Sequence, residues 1–189
     1  MIDKFLQIYR RAVDIIFMRS KTWGTINNET TSEQDLFNRY TVPHICVCVC
    51  VIFVFNFIYK NGFQGAFLNA VLTAVSLLGA YLIAKWALHF FLTKKYDPYA
   101  DKTDTAKLVT YGFSVVYLVE IADAIIPSVF LFRLFLLYTY ILASDGCKIL
   151  LDLPQSKQNN TVLFLFLLIL FLPTLLTFMM KLFLPNAQI

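Results

Sequence analysis

The sequence predicts an all-α polytopic membrane protein, with five transmembrane helices preceded by an amphipathic helix at the membrane interface. Three observations point there. Of the 189 residues, 59% are hydrophobic, 16% are aromatic and only 15% are charged, whereas a soluble domain holds about 45–50% apolar and about 25% charged residues. The apolar residues fall in runs near the about 20 positions that a bilayer crossing needs. Lysine and arginine are spread unevenly over the connections between those runs. This composition excludes a disordered chain, a disulfide-stapled secreted domain and an ordinary water-soluble enzyme, and nothing in it points to nucleic acid.

Residues 1–42 read as a cytoplasmic region. Ile2, Phe5, Leu6, Tyr9, Val13, Ile16 and Phe17 recur at helical spacing, with Asp3, Lys4, Gln7, Arg10, Arg11 and Asp14 largely opposite. This is the pattern of a helix about 17 residues long lying in the cytoplasmic interface. Packing on a partner or on the protein's own loops is the other way to cover such a face. Charges throughout the first 20 residues leave no apolar h-region for a signal peptide. Residues 27–38, rich in Asn, Thr, Ser and acids, read as a polar linker.

The transmembrane domain, 43–189, divides into spans at about 43–60, 64–92, 106–126, 128–144 and 161–184. The first opens at Pro43 and is stopped by the Asn61-Gly62 turn pair. The second carries small residues in two rows four apart, Ala66/Ala70/Ala74 and Ser76/Ala80/Ala84, and ends at Lys94-Lys95. Such rows let helix backbones approach closely in lipid, so Ala70, Ala74, Gly79 and Ala80 are candidate packing positions, internal or toward a partner. The third span breaks at Pro127, which lacks a backbone donor. The Ile126-Pro127-Ser128 corner makes the third and fourth spans a tight hairpin, and Asp145-Gly146 stops the fourth. An interfacial segment at 149–153 precedes the fifth.

Six basic residues precede the first span, four follow the second and two follow the fourth, against one after the first span and one in the tail. Cytoplasmic loops retain the excess of Lys and Arg, so twelve against two puts the N-terminus in the cytoplasm and the C-terminus outside, most simply in a bacterial inner membrane. Asn28-x-Thr30 and Asn159-x-Thr161 then fall on the unglycosylated side.

Three clusters could carry chemistry. Asp101-Lys102-Thr103-Asp104-Thr105 is one residue from the phosphorylated aspartate motif of ion-pumping ATPases. It reads as a solvated loop, with Thr103 or Thr105 capping the third helix. His44, Cys46, Cys48 and Cys50 bring metal-ligating types together at the start of the first span, but Cys46 and Cys50 share one stripe and His44 and Cys48 another. A tetrahedral site needs four converging ligands, so packing is the simpler reading and no cofactor is expected. Glu120 and Asp123 in the third span, with Arg133 in the fourth, are ionisable groups in lipid, where such groups are expensive and face a partner or a cavity. The hairpin levels Glu120 with Arg133 as an ion pair, Asp123 reaching headgroups or the same arginine; an ion- or proton-binding site is the alternative. Tyr111, Ser114 and Tyr117 could line a polar path beside them, as could Tyr138 and Tyr140. Gly-x-Ser-x-Gly, His-Glu-x-x-His, phosphate-cradling glycine loops and Cys-x-x-Cys pairs are absent, and an enzyme is not expected.

Lys21-Thr22-Trp23 with Ile26 and Glu29, Tyr40 and Pro43 at the first span, Tyr111-Gly112-Phe113-Ser114, Ile125-Ile126-Pro127, and Tyr138-x-Tyr140 with Gly146, Pro154 and Lys157 together resemble bacterial members of the Yip (Ypt/Rab-GTPase-interacting protein) family. The resemblance implies five membrane helices and a cytoplasmic N-terminus. It also implies a noncatalytic organiser or adaptor, related to eukaryotic proteins of vesicle traffic that bind Rab-type GTPases; their Asp-Leu-x-Gly-Pro motif is absent here. The expected partners are the bilayer and another membrane protein or a second copy. A small transporter or channel subunit built on Glu120, Asp123 and Arg133 is the competing function.

Overall fold

The computed structural model describes residues 2–59, 62–96, 101–127, 131–151 and 153–183; among these it holds helices and no strand. Asn61, Ser128 and Leu184, where the sequence places turns or span ends, lie outside the described residues, as do the side chains of residues 1–8, 131 and 132.

Helices α1 (Ile2–Phe17) and α2 (Arg19–Asn27) form the N-terminal segment. The expected polar linker is partly helix. Helix α3 (Glu33–Leu36) starts where the Ser32 hydroxyl accepts from the Asp35 N–H, and runs through a π-type turn (Phe37–Thr41) into α4 (Val42–Tyr59). Glu33 and Asp35 in the first turn suit the positive end of the helix dipole. Pro43 cannot donate to the carbonyl four residues back, and the wider turn before it absorbs that missing bond. The first membrane helix therefore begins ten residues before Pro43, which lengthens a run that looked short for a bilayer.

Gly62, at φ 56°, adopts a left-handed conformation that suits glycine and opens α5 (Gly62–Lys95). The short connection makes α4 and α5 antiparallel neighbours, and α5 packs as extensively on α10 (Gln155–Phe183). Helices α6 (Lys102–Gly112) and α7 (Ser114–Ile125) run on as one: the Phe113 N–H donates to Val109 at 3.0 Å and the Tyr117 N–H to Phe113 at 3.1 Å. The cap is neither Thr103 nor Thr105. Asp101, two residues before Thr103, accepts from the Thr103 N–H at 2.8 Å, and the Thr105 hydroxyl donates back to the Asp101 carbonyl.

Past the corner, α8 (Leu131–Leu134) passes through a 3₁₀ turn (Phe135–Leu137) into α9 (Tyr138–Leu150). This helix does not stop at Asp145-Gly146. Gly146 is a point of close approach: a Cβ there would come within 2.7 Å of Trp23 and 2.8 Å of Leu108. Helix α10 starts six residues before Thr161 and keeps Pro173 inside it, where the Thr177 hydroxyl donates to the Pro173 carbonyl at 2.9 Å.

Among the described residues four helices, Glu33–Tyr59, Gly62–Lys95, Lys102–Ile125 and Gln155–Phe183, are long and apolar enough to cross a membrane. The stretch from Leu131 to Leu150, where the fourth of five spans is expected, is helical but interrupted by the 3₁₀ turn, so it does not count among them. Glu33–Tyr59, Gly62–Lys95 and Gln155–Phe183 present large side chains outward, whereas Lys102–Ile125 is mostly buried; along α5, Phe67, Val71, Val75, Leu78 and Leu82 form an exposed row at three- and four-residue spacing. Such a row in water would be a liability, and in lipid it is the ordinary outer face.

The amphipathic segment is not a simple interfacial helix. Ala12, Ile15, Ile16, Trp23 and Ile26 are buried in the protein core, while Val13, Phe17 and Met18 stay exposed. Its apolar residues therefore divide between the bundle and the surroundings. Helix α2 packs on α9, with the Tyr138 hydroxyl donating to the Ile16 carbonyl at 2.6 Å and Arg19 pairing with Asp145 at 3.4 Å. Arg11 pairs with Glu29 at 2.6 Å and lies over the Tyr111 ring, locking α1 against the end of α2. The small residues of α5 are used internally as well. Ala70 and Ala80 are buried, Ala74 is half-buried, and a Cβ on Gly79 would lie 3.1 Å from Leu176 of α10.

Candidate functional site

The polar residues inside the bundle form two separate constellations. The inner one is closed. Tyr40, from the π-type turn, shares a 2.7 Å hydrogen bond between its hydroxyl and that of Ser114 on α7. One turn on, His44 is fully buried, with its ring among those of Tyr9, Tyr40 and Tyr117 at centroid distances of 4.9, 4.3 and 5.4 Å. Its Nδ1 lies 2.7 Å from the Tyr40 carbonyl. A carbonyl only accepts, so Nδ1 carries the proton and Nε2 is left as a bare acceptor; Nε2 is buried with no hydrogen-bond partner among the described residues. The Cys48 thiol donates to the Tyr117 carbonyl at 3.4 Å, and Tyr81 meets Thr110 at 3.1 Å. Outside the membrane helices, burial and the nearby Cys48 and Cys46 thiols push the Tyr9 phenol above its usual range.

This packing decides the His/Cys cluster. His44 and Cys48 point inward and Cys46 and Cys50 are exposed, so the four do not converge. Among the described residues no group of three or more His, Cys, Asp or Glu could hold a metal ion.

The outer constellation is an open groove of about 360 Å³ between α5, α7 and α10, lined by Thr73, Glu120, Asp123, Arg133, Thr177 and Lys181, among others. Here the structure corrects the expected pairing. Arg133 Nε bonds Asp123 Oδ2 at 2.9 Å, and Glu120 makes no ion pair with any described residue. The guanidinium side chain is largely exposed, at 69%. Long basic side chains near a helix end stretch toward the polar surface, and the shallower carboxylate meets the arginine first. Tyr117 does not join this cluster: it is fully buried, against Phe113, His44 and the first membrane helix. Tyr111 and Ser114 are buried too, so they line no open polar path along the third span.

Sequence reasoning missed two features. Lys85, within the second span, pairs with Glu33 at 2.9 Å, which ties α5 to the start of the first membrane helix; an unpaired lysine in an apolar run was the signal. Trp23 makes an edge-on contact with Tyr111 at 5.9 Å and lies on Gly146, and only that tryptophan and glycine hinted at the contact.

Comparison with protein families gives a match to the Yip1 domain over residues 13–177, from the second half of α1 almost to the end of α10. The chain belongs to the Yip1-domain family. It is a multi-pass integral membrane protein, and the matched Yip1 region takes in His44, Tyr40, Ser114 and Tyr117 of the closed cluster and Glu120, Asp123 and Arg133 of the open groove. Searches of the curated proteins and of the solved structures give no match.

Proposed function

We propose that this Yip-family chain is a noncatalytic organising or adaptor protein that works through helix–helix and protein–protein contacts within the membrane. Its chain crosses the bilayer five times, the interrupted helix through α8 and α9 supplying the fourth crossing, with the N-terminus in the cytoplasm of a bacterial cell and the C-terminus outside. The observation that carries this reading is the closure of the polar interior: His44, Tyr117, Ser114 and Thr110 are all buried at 0% exposure, Ser114 bonded to Tyr40, Thr110 to Tyr81, and the His44 and Tyr117 rings stacked on each other. A route for solute or proton would need those groups wetted. Because the small-residue rows of α5 are occupied internally, the surface left for a partner is the outward apolar row and the exposed part of α1.

The open groove favours a second reading, in which Glu120 binds a cation or proton in a small transporter or channel subunit. Proteoliposome flux separates the two. The adaptor reading expects wild-type protein and Glu120→Gln to give the same proton and sodium leak as empty vesicles. Flux above that background in wild type, lost in Glu120→Gln with unchanged folded yield, would contradict it.

A further inference from the structure

A second groove lies at the opposite end of α5, between it and α10. It has a volume of about 500 Å³ and is lined by Trp86, Phe90, Phe91, Lys94, Lys95 and Phe164, with Ala87 at its floor. Its walls are aromatic pairs: Trp86 stacks on Phe90 at 5.5 Å and Phe91 on Phe164 at 4.4 Å. Trp86 is exposed at 68% and Phe90 at 49%, so the walls face outward.

The charge sits at one end only. Lys94 Nζ lies over the Phe90 ring, Lys95 Nζ over Phe91 and Tyr96, and Lys157 Nζ over Tyr96, at 5.1–5.6 Å. None of the three lysines makes an ion pair with a described residue, and no acid lines the groove. From Lys95 back to Trp86 is nine residues, about 13 Å along the helix axis. Depth is fixed by α10: Phe164 follows the polar Asn159-Asn160 pair by one turn, so its partner Phe91 lies just inside the apolar layer, and the lysines one turn on lie at headgroup level. The groove thus pairs a cationic rim at the surface with an apolar trough running into the membrane.

We propose that this groove is a binding site for an anionic glycerophospholipid, its phosphate held by Lys94 and Lys95 with Lys157 beside them, and an acyl chain laid along Trp86, Phe90 and Phe164. Basic pockets between membrane helices recognise anionic headgroups by charge, and the aromatic trough supplies the chain contact that a free phosphate could not use. The site requires only the helix pair and its lysines, and holds whichever function the outer groove serves.

Native mass spectrometry of the full-length protein, stripped of lipid and offered equimolar phosphatidylglycerol and phosphatidylcholine, tests this. The wild type retains phosphatidylglycerol in preference by about tenfold. Lys94→Gln/Lys95→Gln brings the ratio near one, while Lys148→Gln, which removes an exposed lysine elsewhere, leaves it unchanged. Equal retention by wild type, or equal loss in the Lys148 variant, overturns the proposal. Should the double variant fail to fold, a photoactivatable phosphatidylglycerol on the wild type replaces it: labelling concentrated on 86–95 and around 164 supports the site, and labelling spread over the apolar surface overturns it. Soluble glycerol phosphate that displaces the lipid at millimolar concentration also overturns it, since the trough would then contribute nothing.

Discussion

Arg133 bonds Asp123 and leaves Glu120 in an open groove, although both acids lie on the same helix, one turn apart. The choice follows from depth, since the exposed guanidinium seeks the surface and the carboxylate nearer the helix end satisfies it there. A double-mutant cycle reads this directly. Asp123→Asn with Arg133→Gln should show coupling of a few tenths to about 1 kcal/mol, the range of a partly exposed pair, while Glu120→Gln with Arg133→Gln should show none above about 0.3 kcal/mol. Equal coupling for both acids would mean the arginine is shared. The sequence levelled Glu120 with Arg133 and left Asp123 to headgroups or the same arginine; the second of those holds and the Glu120 pair does not, because a shift of one helical turn decides it and spacing alone does not resolve side-chain reach. It equally could not separate His44 and Cys48 from Cys46 and Cys50 by depth of burial, although the stripes on the helix were readable.

Among the elements, α1 and α2 depart furthest from what their amphipathic pattern suggested. A helix with an apolar stripe and basic flanks reads as a membrane-surface helix, yet Ala12, Ile15 and Ile16 are buried in the bundle, and the stripe as read from sequence included neither Ala12 nor Ile15. The anchor is Trp23 on Gly146. Trp23→Ala should cost about 3–5 kcal/mol, and Gly146→Val about 1–3 kcal/mol through overpacking. In a Trp86→Phe background, which leaves Trp23 as the reporter, Gly146→Val should also red-shift the emission. Hydrogen exchange should show α2 losing protection in both variants while α5 keeps most of its own; unchanged protection in α2 would show that the contact does not hold the segment. The small residues of α5 give a parallel test. Gly79→Val pushes against Leu176 of α10, so it should lower thermal stability without changing the mass of the purified particle. A change of oligomeric mass with intact stability would instead place Gly79 at an interface between chains.

At the scale of the whole molecule, composition and the runs of apolar residues made the class and the family legible, since lipid demands helices and allows few charges inside them. The span ends were less legible. The helix running through Asp145-Gly146 depends on packing partners far away in the chain, Trp23 and Leu108, whereas the capped start at Ser32 rests on its own neighbour Asp35 and was open to reading from Ser32-Glu33-Gln34-Asp35. The proposed five crossings make their own prediction: a cysteine-reactive, membrane-impermeant reagent applied to intact cells should label a cysteine placed after Ile189 and spare one placed in 27–32, and the reverse pattern would contradict the charge-based orientation. The central claim, that the protein acts by holding other membrane helices, is tested most directly by the mass of the particle released by a gentle detergent. An organising protein of this kind should come out in a complex of fixed stoichiometry, either with a second copy or with a distinct membrane protein, and a lone monomer under those conditions would contradict that role.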